Sequence, residues 1–289
     1  KNGFIQIMIK DFTLGIRCYI EAWKFLFRKH FWWYALIPLV VFLGIFYLGN
    51  LLKDVNYFYL PSKEDGMGIS IAFYFLDGII LLIAFALLNF TRYIMLALVS
   101  PVLSIVSQRT EKLLNEKKYG FSLRQILRDV KRALKLISRN LIVEAITILG
   151  IIALFWLINF FLKEYETILN AVENVLIIII AFYYYGFSFM DYNLERWKIN
   201  EKESVKFVRK HKGLALAIGA VFTPIFHYLN QFISSYSQTT SNDYEFLVIV
   251  FLCALISALL PIWSMIASTL AMEKITYLDI NSPKIEENP

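Results

Sequence analysis

Six runs of apolar residues, each near the length that crosses a bilayer, dominate the chain: Phe31–Leu52, Ser70–Val106, Leu141–Leu162, Asn174–Met190, Gly213–Phe232 and Phe246–Met272. A hydrocarbon core about 30 Å thick needs roughly 20 apolar residues in helical form, because each backbone N–H and C=O must find its partner inside the segment. Composition agrees, with 58% hydrophobic and 18% charged residues, against about 45–50% and about 25% in soluble domains. The expected fold class is an all-α integral membrane protein with about six apolar helical segments. Ser70–Val106 is too long for one straight span at about 1.5 Å per residue. Pro101 is expected to break it, or to run it on into the interface. Asn174–Met190 is short, which suits a hairpin that enters only part of the bilayer.

The charges fall between the runs, and unevenly. Residues 1–30 carry six Lys/Arg, Arg109–Arg139 carries ten and Asp191–Lys212 seven. The alternate segments 53–68, 163–173 and 233–245 carry two, one and none. Cytoplasmic loops collect Lys and Arg, so the three basic segments are expected inside the cell. An even number of crossings returns the C-terminus to the same side.

Each basic segment also has helical periodicity. Phe12, Ile16, Tyr19, Trp23 and Phe27 form one face, opposite Arg17, Glu21, Lys24 and Arg28. Ser122 and Gln125 form a capping box ahead of the stripe Leu123, Ile126, Leu127, Val130, Leu134 and Ile137. Asn200 and Glu203 form a second cap before Lys206, Arg209, Lys210 and Lys212. Basic amphipathic helices of this type lie in the headgroup plane, so anionic lipid is an expected partner. No low-complexity linker divides the chain. Residues 1–272 are expected to form one membrane domain, and 273–289 a short, acidic, mobile tail on the cytoplasmic side.

Catalytic signatures are missing. The sequence has no GxGxxG, P-loop, HExxH or GxSxG pattern, and neither an enzyme nor a cofactor is expected. The three histidines and two cysteines have no metal-ligand spacing, and nothing points to a nucleic-acid partner. The informative residues are polar groups inside apolar runs, where a charge usually faces protein or water. Arg92, with Asn89 and Thr91 beside it, lies within the second run, and Glu144 lies one turn into the third. An Arg92–Glu144 ion pair would neutralise both; a snorkelling Arg92 is the other bland reading, and the sharper one is that Arg92 lines an anion path. Gly213, Ala215, Ala217, Gly219 and Ala220 place small residues on adjoining faces of the fifth run, which allows close helix packing. Pro224 and His227 suggest a kink there, and Pro261 a break in the last run. Trp32–Tyr34 and Tyr57–Tyr59 suit the aromatic belts at the two membrane faces.

Three stretches, in order, resemble the family of CysZ sulfate permeases and etoposide-induced membrane proteins. They are Leu98–Leu113, where a small residue and Pro101 follow the long apolar run; Phe189-Met190-Asp191-Tyr192 with Glu195, Arg196 and then Arg209–Leu216; and Pro261–Ala267 with Thr269 and Glu273. The resemblance covers roughly residues 5–273. It implies a bacterial inner-membrane protein that mixes spanning helices with partly inserted hairpins, assembles as oligomers and passes sulfate; a place in a larger membrane complex belongs to the alternative reading below. The sulfate permeases carry a Gly-Leu-Arg motif at the start of their first membrane helix. Here the matching positions read His30-Phe31-Trp32-Trp33, with Arg28 and Lys29 adjacent but out of register. Arg92, Asn89, Arg28 and Lys29 are therefore the anion-pathway candidates, and a non-transporting accessory subunit is the alternative.

Overall fold

A computed structural model describes residues 2–55, 75–76, 78–80, 83, 91–115, 123–239 and 242–281. Among these residues the regular structure is helical throughout: α1 (Asn2–Arg28), a 3-10 turn (Phe31–Ala35), α2 (Leu36–Val55), α3 (Thr91–Asn115), α4 (Leu123–Phe161), α5 (Glu166–Arg196), α6 (Glu201–Lys210), α7 (Lys212–Thr239) and α8 (Asp243–Asn281). Five stretches are long and apolar enough to span a bilayer: Phe31–Gly49, Ser138–Phe161, Lys163–Arg196, Lys212–Ile233 and Tyr244–Thr276. They coincide with five of the six apolar runs. Most of the remaining run, Ser70–Val106, lies outside the described residues.

Three expectations about helix ends are corrected. The breaks expected at Pro101 and Pro261 are absent, both prolines lying inside continuous helices; α3 takes the other course expected of it and runs on to Asn115, and Pro224, read as a kink, also lies inside its helix. A proline deletes one ladder hydrogen bond, but in an apolar setting the flanking N–H and C=O groups have no solvent to turn to, so the ladder resumes on either side. Packing holds the register, because Val102 and Leu103 after Pro101, and Leu260 and Ile262 around Pro261, are buried. The short fourth run is only the apolar middle of α5, a helix of 31 residues. Finally, α8 runs past Met272 to Asn281, with Ile275 buried, so the packed body does not stop at 272.

The second amphipathic stretch and the third apolar run are one helix, the 39-residue α4. Its expected cap at Ser122 lies outside the described residues. The cap at Asn200 is present, its side chain accepting from the Glu203 amide at 2.9 Å and so satisfying one of the open N–H groups at the start of α6. A tight turn joins α4 to α5, with Leu162 N–H donating to Ile158 O at 2.9 Å and Asn159 bonded to Asn170 at 2.9 Å across the pair.

Burial separates the helices into two groups. About half of the α7 span and 44% of the α8 span are buried, against 11% and 6% for the spans of α4 and α5. The exposed residues of this second pair include Ile146, Leu149, Trp156, Phe160, Ile168 and Val175. A surface so apolar is stable facing lipid chains and would drive association in water.

Small residues set the closest crossings. A Cβ on Gly186 would collide with the Ala215 carbonyl, and one on Gly219 with the Phe182 carbonyl, so α5 and α7 touch backbone to backbone. A Cβ on Gly213 would strike the Met8 carbonyl, which brings α1 equally close. The small-residue faces of α7 are thus used within the chain. On α1, Cys18, Ala22 and Leu26 are buried together with Tyr19 of the expected apolar stripe, while Phe12, Trp23 and Phe27 of that stripe stay exposed, as a face laid on lipid would be. Tyr19 is the one aromatic of the stripe that turns to the protein.

Polar side chains fasten the centre. Asn193 Oδ1 accepts from Ser107 at 2.8 Å, Thr269 at 3.0 Å and Arg196 at 2.8 Å, and its Nδ2 donates to Ser268 at 3.2 Å. One amide therefore joins α3, α5 and α8. Tyr19 of α1 donates from its hydroxyl to the Ile218 carbonyl at 2.8 Å and lies 2.9 Å from Ser264 Oγ. Asp11 meets His211 at 2.8 Å in a buried contact that ties α1 to the α6–α7 corner. Away from water such bonds have few competitors, so a filled network fixes one arrangement of helices.

Candidate functional site at the corner between α1 and α2

The chain turns sharply where α1 ends. Lys29 N–H still bonds back to Phe25 O at 3.1 Å, but His30 takes the left-handed conformation, φ 57 and ψ 34. That region favours glycine, and a β-carbon there is strained. His30 stands at the start of the segment matched to Gly-Leu-Arg and takes this conformation without a glycine. Phe31 is then fully buried and anchors the 3-10 turn that opens the first span.

Cations gather at this corner from two directions. Lys24, Arg28 and Lys29 line a cleft of about 240 Å³ together with Glu21 and Phe25. Glu21 is matched by Lys274 of α8, whose ammonium lies 2.6 and 2.8 Å from its two carboxylate oxygens. The cleft therefore keeps the charge of its three other ionic residues. From α3, Arg109 crosses to the same turn. Its guanidinium carbon sits 5.0 Å from the Phe31 ring centre and 5.6 Å from that of Tyr34. One guanidinium nitrogen donates to Tyr34 Oη at 3.3 Å and another to the Lys29 carbonyl at 3.2 Å. Stacking and two hydrogen bonds hold the group in one orientation, which leaves its other donors available on the exposed side.

Such an arrangement raises the local concentration of anions and orients them without any covalent chemistry. The description of a family model headed sulfate transporter CysZ/etoposide-induced protein 2.4 matches residues 18–229, which contain the whole corner. The chain belongs to this family. Comparison with curated proteins finds no match. Membership in a family of transporters accords with the absence of catalytic motifs noted in the sequence.

The sequence-based candidates divide. Arg28 and Lys29 come together in the cleft. Arg92 falls in the first turn of α3, but its side chain, and Asn89 entirely, lie outside the described residues, as does the Arg92–Glu144 contact. Glu144 is buried on α4. His227 faces outward beside Tyr228, the ring centres 6.1 Å apart. Among the described residues no group of His, Cys, Asp or Glu could hold a metal. Two features went unread. Arg109 was one of ten basic residues in its segment, and nothing in spacing alone separates it from the rest. Arg196, counted among the seven basic residues of its segment, forms a buried ion pair at 3.0 Å with Glu111, which the count of cations passed over.

Proposed function

We propose that this protein is a passive channel or carrier for a small oxyanion, sulfate first, in the bacterial cytoplasmic membrane, with both termini in the cytoplasm. The observation that carries this reading is the corner at which Arg109, Arg28 and Lys29 converge beside the entry to the first span. Family membership across residues 18–229 supports the substrate class. Fixed guanidinium donors substitute for part of an oxyanion's hydration shell, and a cluster of cations draws anions from solution. Arg92, with Asn89, is the proposed continuation of the path within the membrane.

A second reading has its own observation. Phe31, Trp32 and Trp33 follow His30 where the sulfate permeases have Leu-Arg, and the Trp32 and Trp33 rings stack at 4.2 Å. That aromatic surface suits a non-transporting subunit that docks in a larger membrane assembly.

Labelled-sulfate uptake into proteoliposomes tests the two. Wild type is compared with Arg109→Gln, Arg92→Ala and empty vesicles, each protein checked for folding by size-exclusion chromatography. Saturable uptake that falls several-fold in Arg109→Gln supports transport. Uptake no faster than empty vesicles supports the subunit.

A further inference from the structure

A second cationic site lies apart from that corner, between α4, α5, α6 and α7. Arg139, Asn140, Tyr183, Tyr184, Arg209 and Lys212 are among the residues that line a cavity of about 310 Å³. That volume is within the range of small-ligand pockets, about 300–1,000 Å³. Its lining contains no acidic side chain among the described residues, so three positive charges face one space. The rings of Tyr183 and Tyr184 meet edge to face, 5.4 Å between centres, along one wall. Asn140 is 5% exposed, and its Nδ2 has no hydrogen-bond partner. A buried amide donor left unmatched is costly, and here it borders a cavity rather than a packed wall.

The frame around the cavity is held in place. Lys135 meets Glu201 at 2.8 Å, which pins the start of α6 to α4 one turn before Arg139. The backbone contact of Gly186 with Ala215 and of Gly219 with Phe182 keeps Tyr183 and Tyr184 against α7. Arg139 is at the beginning of the apolar Ser138–Phe161 stretch and Lys212 begins the Lys212–Ile233 stretch, so both stand at the ends of candidate spans. Cations and tyrosines at that depth meet lipid headgroups.

We propose that this cavity binds a tetrahedral oxyanion group, either the phosphate of an anionic phospholipid or free sulfate or phosphate. Arg139 and Arg209 supply forked guanidinium donors, Lys212 a point charge, and Asn140 a buried neutral donor. The inference does not depend on transport: the corner between α1 and α2 is formed by other residues, and its test reads a different variant.

The full chain, purified in neutral detergent, is assayed with two probes. Equilibrium binding of labelled sulfate to delipidated protein reads the free anion. Native mass spectrometry of protein taken from mixed phosphatidylcholine and phosphatidylglycerol vesicles reads retained lipid. The variants are Arg139→Gln combined with Arg209→Gln, both at exposed positions, and Asn140→Asp, which keeps the shape and adds a negative charge. Wild type is expected to retain one probe, and each folded variant to hold it about tenfold or more weakly. Loss of phosphatidylglycerol alone identifies the lipid as the source, and loss of sulfate alone the free anion. Should Asn140→Asp fail to fold, the arginine pair decides. Unchanged retention in the arginine pair, or no retention of either probe by wild type, overturns the site.

Discussion

Arg196 meets Glu111 at 3.0 Å where neither side chain reaches solvent, the two being 3% and 0% exposed. The contact joins the end of α5 to α3, and Arg196 also donates to Asn193 at 2.8 Å, linking the pair to the amide hub. Desolvating two charges costs several kcal/mol per ion, so such a pair stabilises only when its geometry and further hydrogen bonds are good. Removing one partner is a separate matter, because it strands the other charge.

The first prediction follows. Glu111→Leu or Arg196→Met alone is expected to lower stability by about 3–5 kcal/mol, whereas the two combined are expected to lose much less than the sum of the single changes. Thermal unfolding in detergent, read as a double-mutant cycle, measures the coupling. Additive losses would show that the contact does not hold the two helices together.

Glycines provide the second prediction, because this fold uses them in two opposite ways. Gly186→Ala and Gly219→Ala each place a methyl group into a neighbouring carbonyl, so α5 and α7 must separate. Gly44→Ala and Gly150→Ala meet nothing within 4 Å. The first pair is expected to reduce folded yield sharply. The second pair is expected to be neutral or stabilising, by about 0.5–1 kcal/mol, since alanine leaves the unfolded chain less conformational entropy to lose than glycine does. Fluorescence-detected size-exclusion profiles over a temperature series separate the two groups. Equal behaviour of all four would mean that the backbone crossing is not as close as described.

Periodicity and charge made much of this fold legible. Five of the apolar runs coincide with spans, and the Asn200 cap falls where the residue pattern put it. What failed was the reading of proline as a stop, because a local rule about one hydrogen bond ignored the burial of Leu260 and Ile262 on either side of Pro261. The inner face of α1 was not read at all. Hydrophobicity ranks Trp23 above Gly15, but close approach to α7 requires the small residue: a Cβ on Gly15 would already lie 2.6 Å from Ala217 Cβ. Charge counting marked the basic segments without telling Glu111 and Arg196, which turn inward, from Arg28, which does not. Arg28 and Lys29 were found because they are adjacent in sequence. Arg109 needed the third dimension, since it reaches Lys29 from eighty residues away.

The third prediction concerns Cys18. Burial pushes its thiol pKa up from 9.0 to about 11, the nearby Lys274 lowering it only partly. The folded state therefore favours the protonated thiol. Its contribution to stability is fully present below about pH 9 and is lost as pH rises toward 11. Burial raises the Tyr19 hydroxyl as well, with the Ser264 hydrogen bond opposing it, so both groups weaken the fold in the same alkaline direction. Iodoacetamide at pH 8 is expected to leave Cys18 unmodified in folded protein and to alkylate it after unfolding, with peptide mass mapping as the readout. Rapid modification of the folded chain would show that α1 does not stay packed on α7 and α8.

The fourth prediction uses the same inertness to test orientation. Cys18 and Cys253 are both free and buried, so an introduced thiol at an exposed position will react well above background. Glu164 lies in the turn between α4 and α5, and Lys202 on α6 beyond the other end of α5; both are exposed. If α5 crosses the bilayer with the basic segments inside the cell, the two positions face opposite compartments. A membrane-impermeant maleimide added to intact spheroplasts should then label Glu164→Cys, and should label Lys202→Cys only after permeabilisation. The reverse pattern would invert the assigned orientation. Labelling of both from the cytoplasmic side alone would mean that α4 and α5 enter the membrane as a hairpin and return, with the turn at Lys163–Tyr165 failing to emerge on the far face.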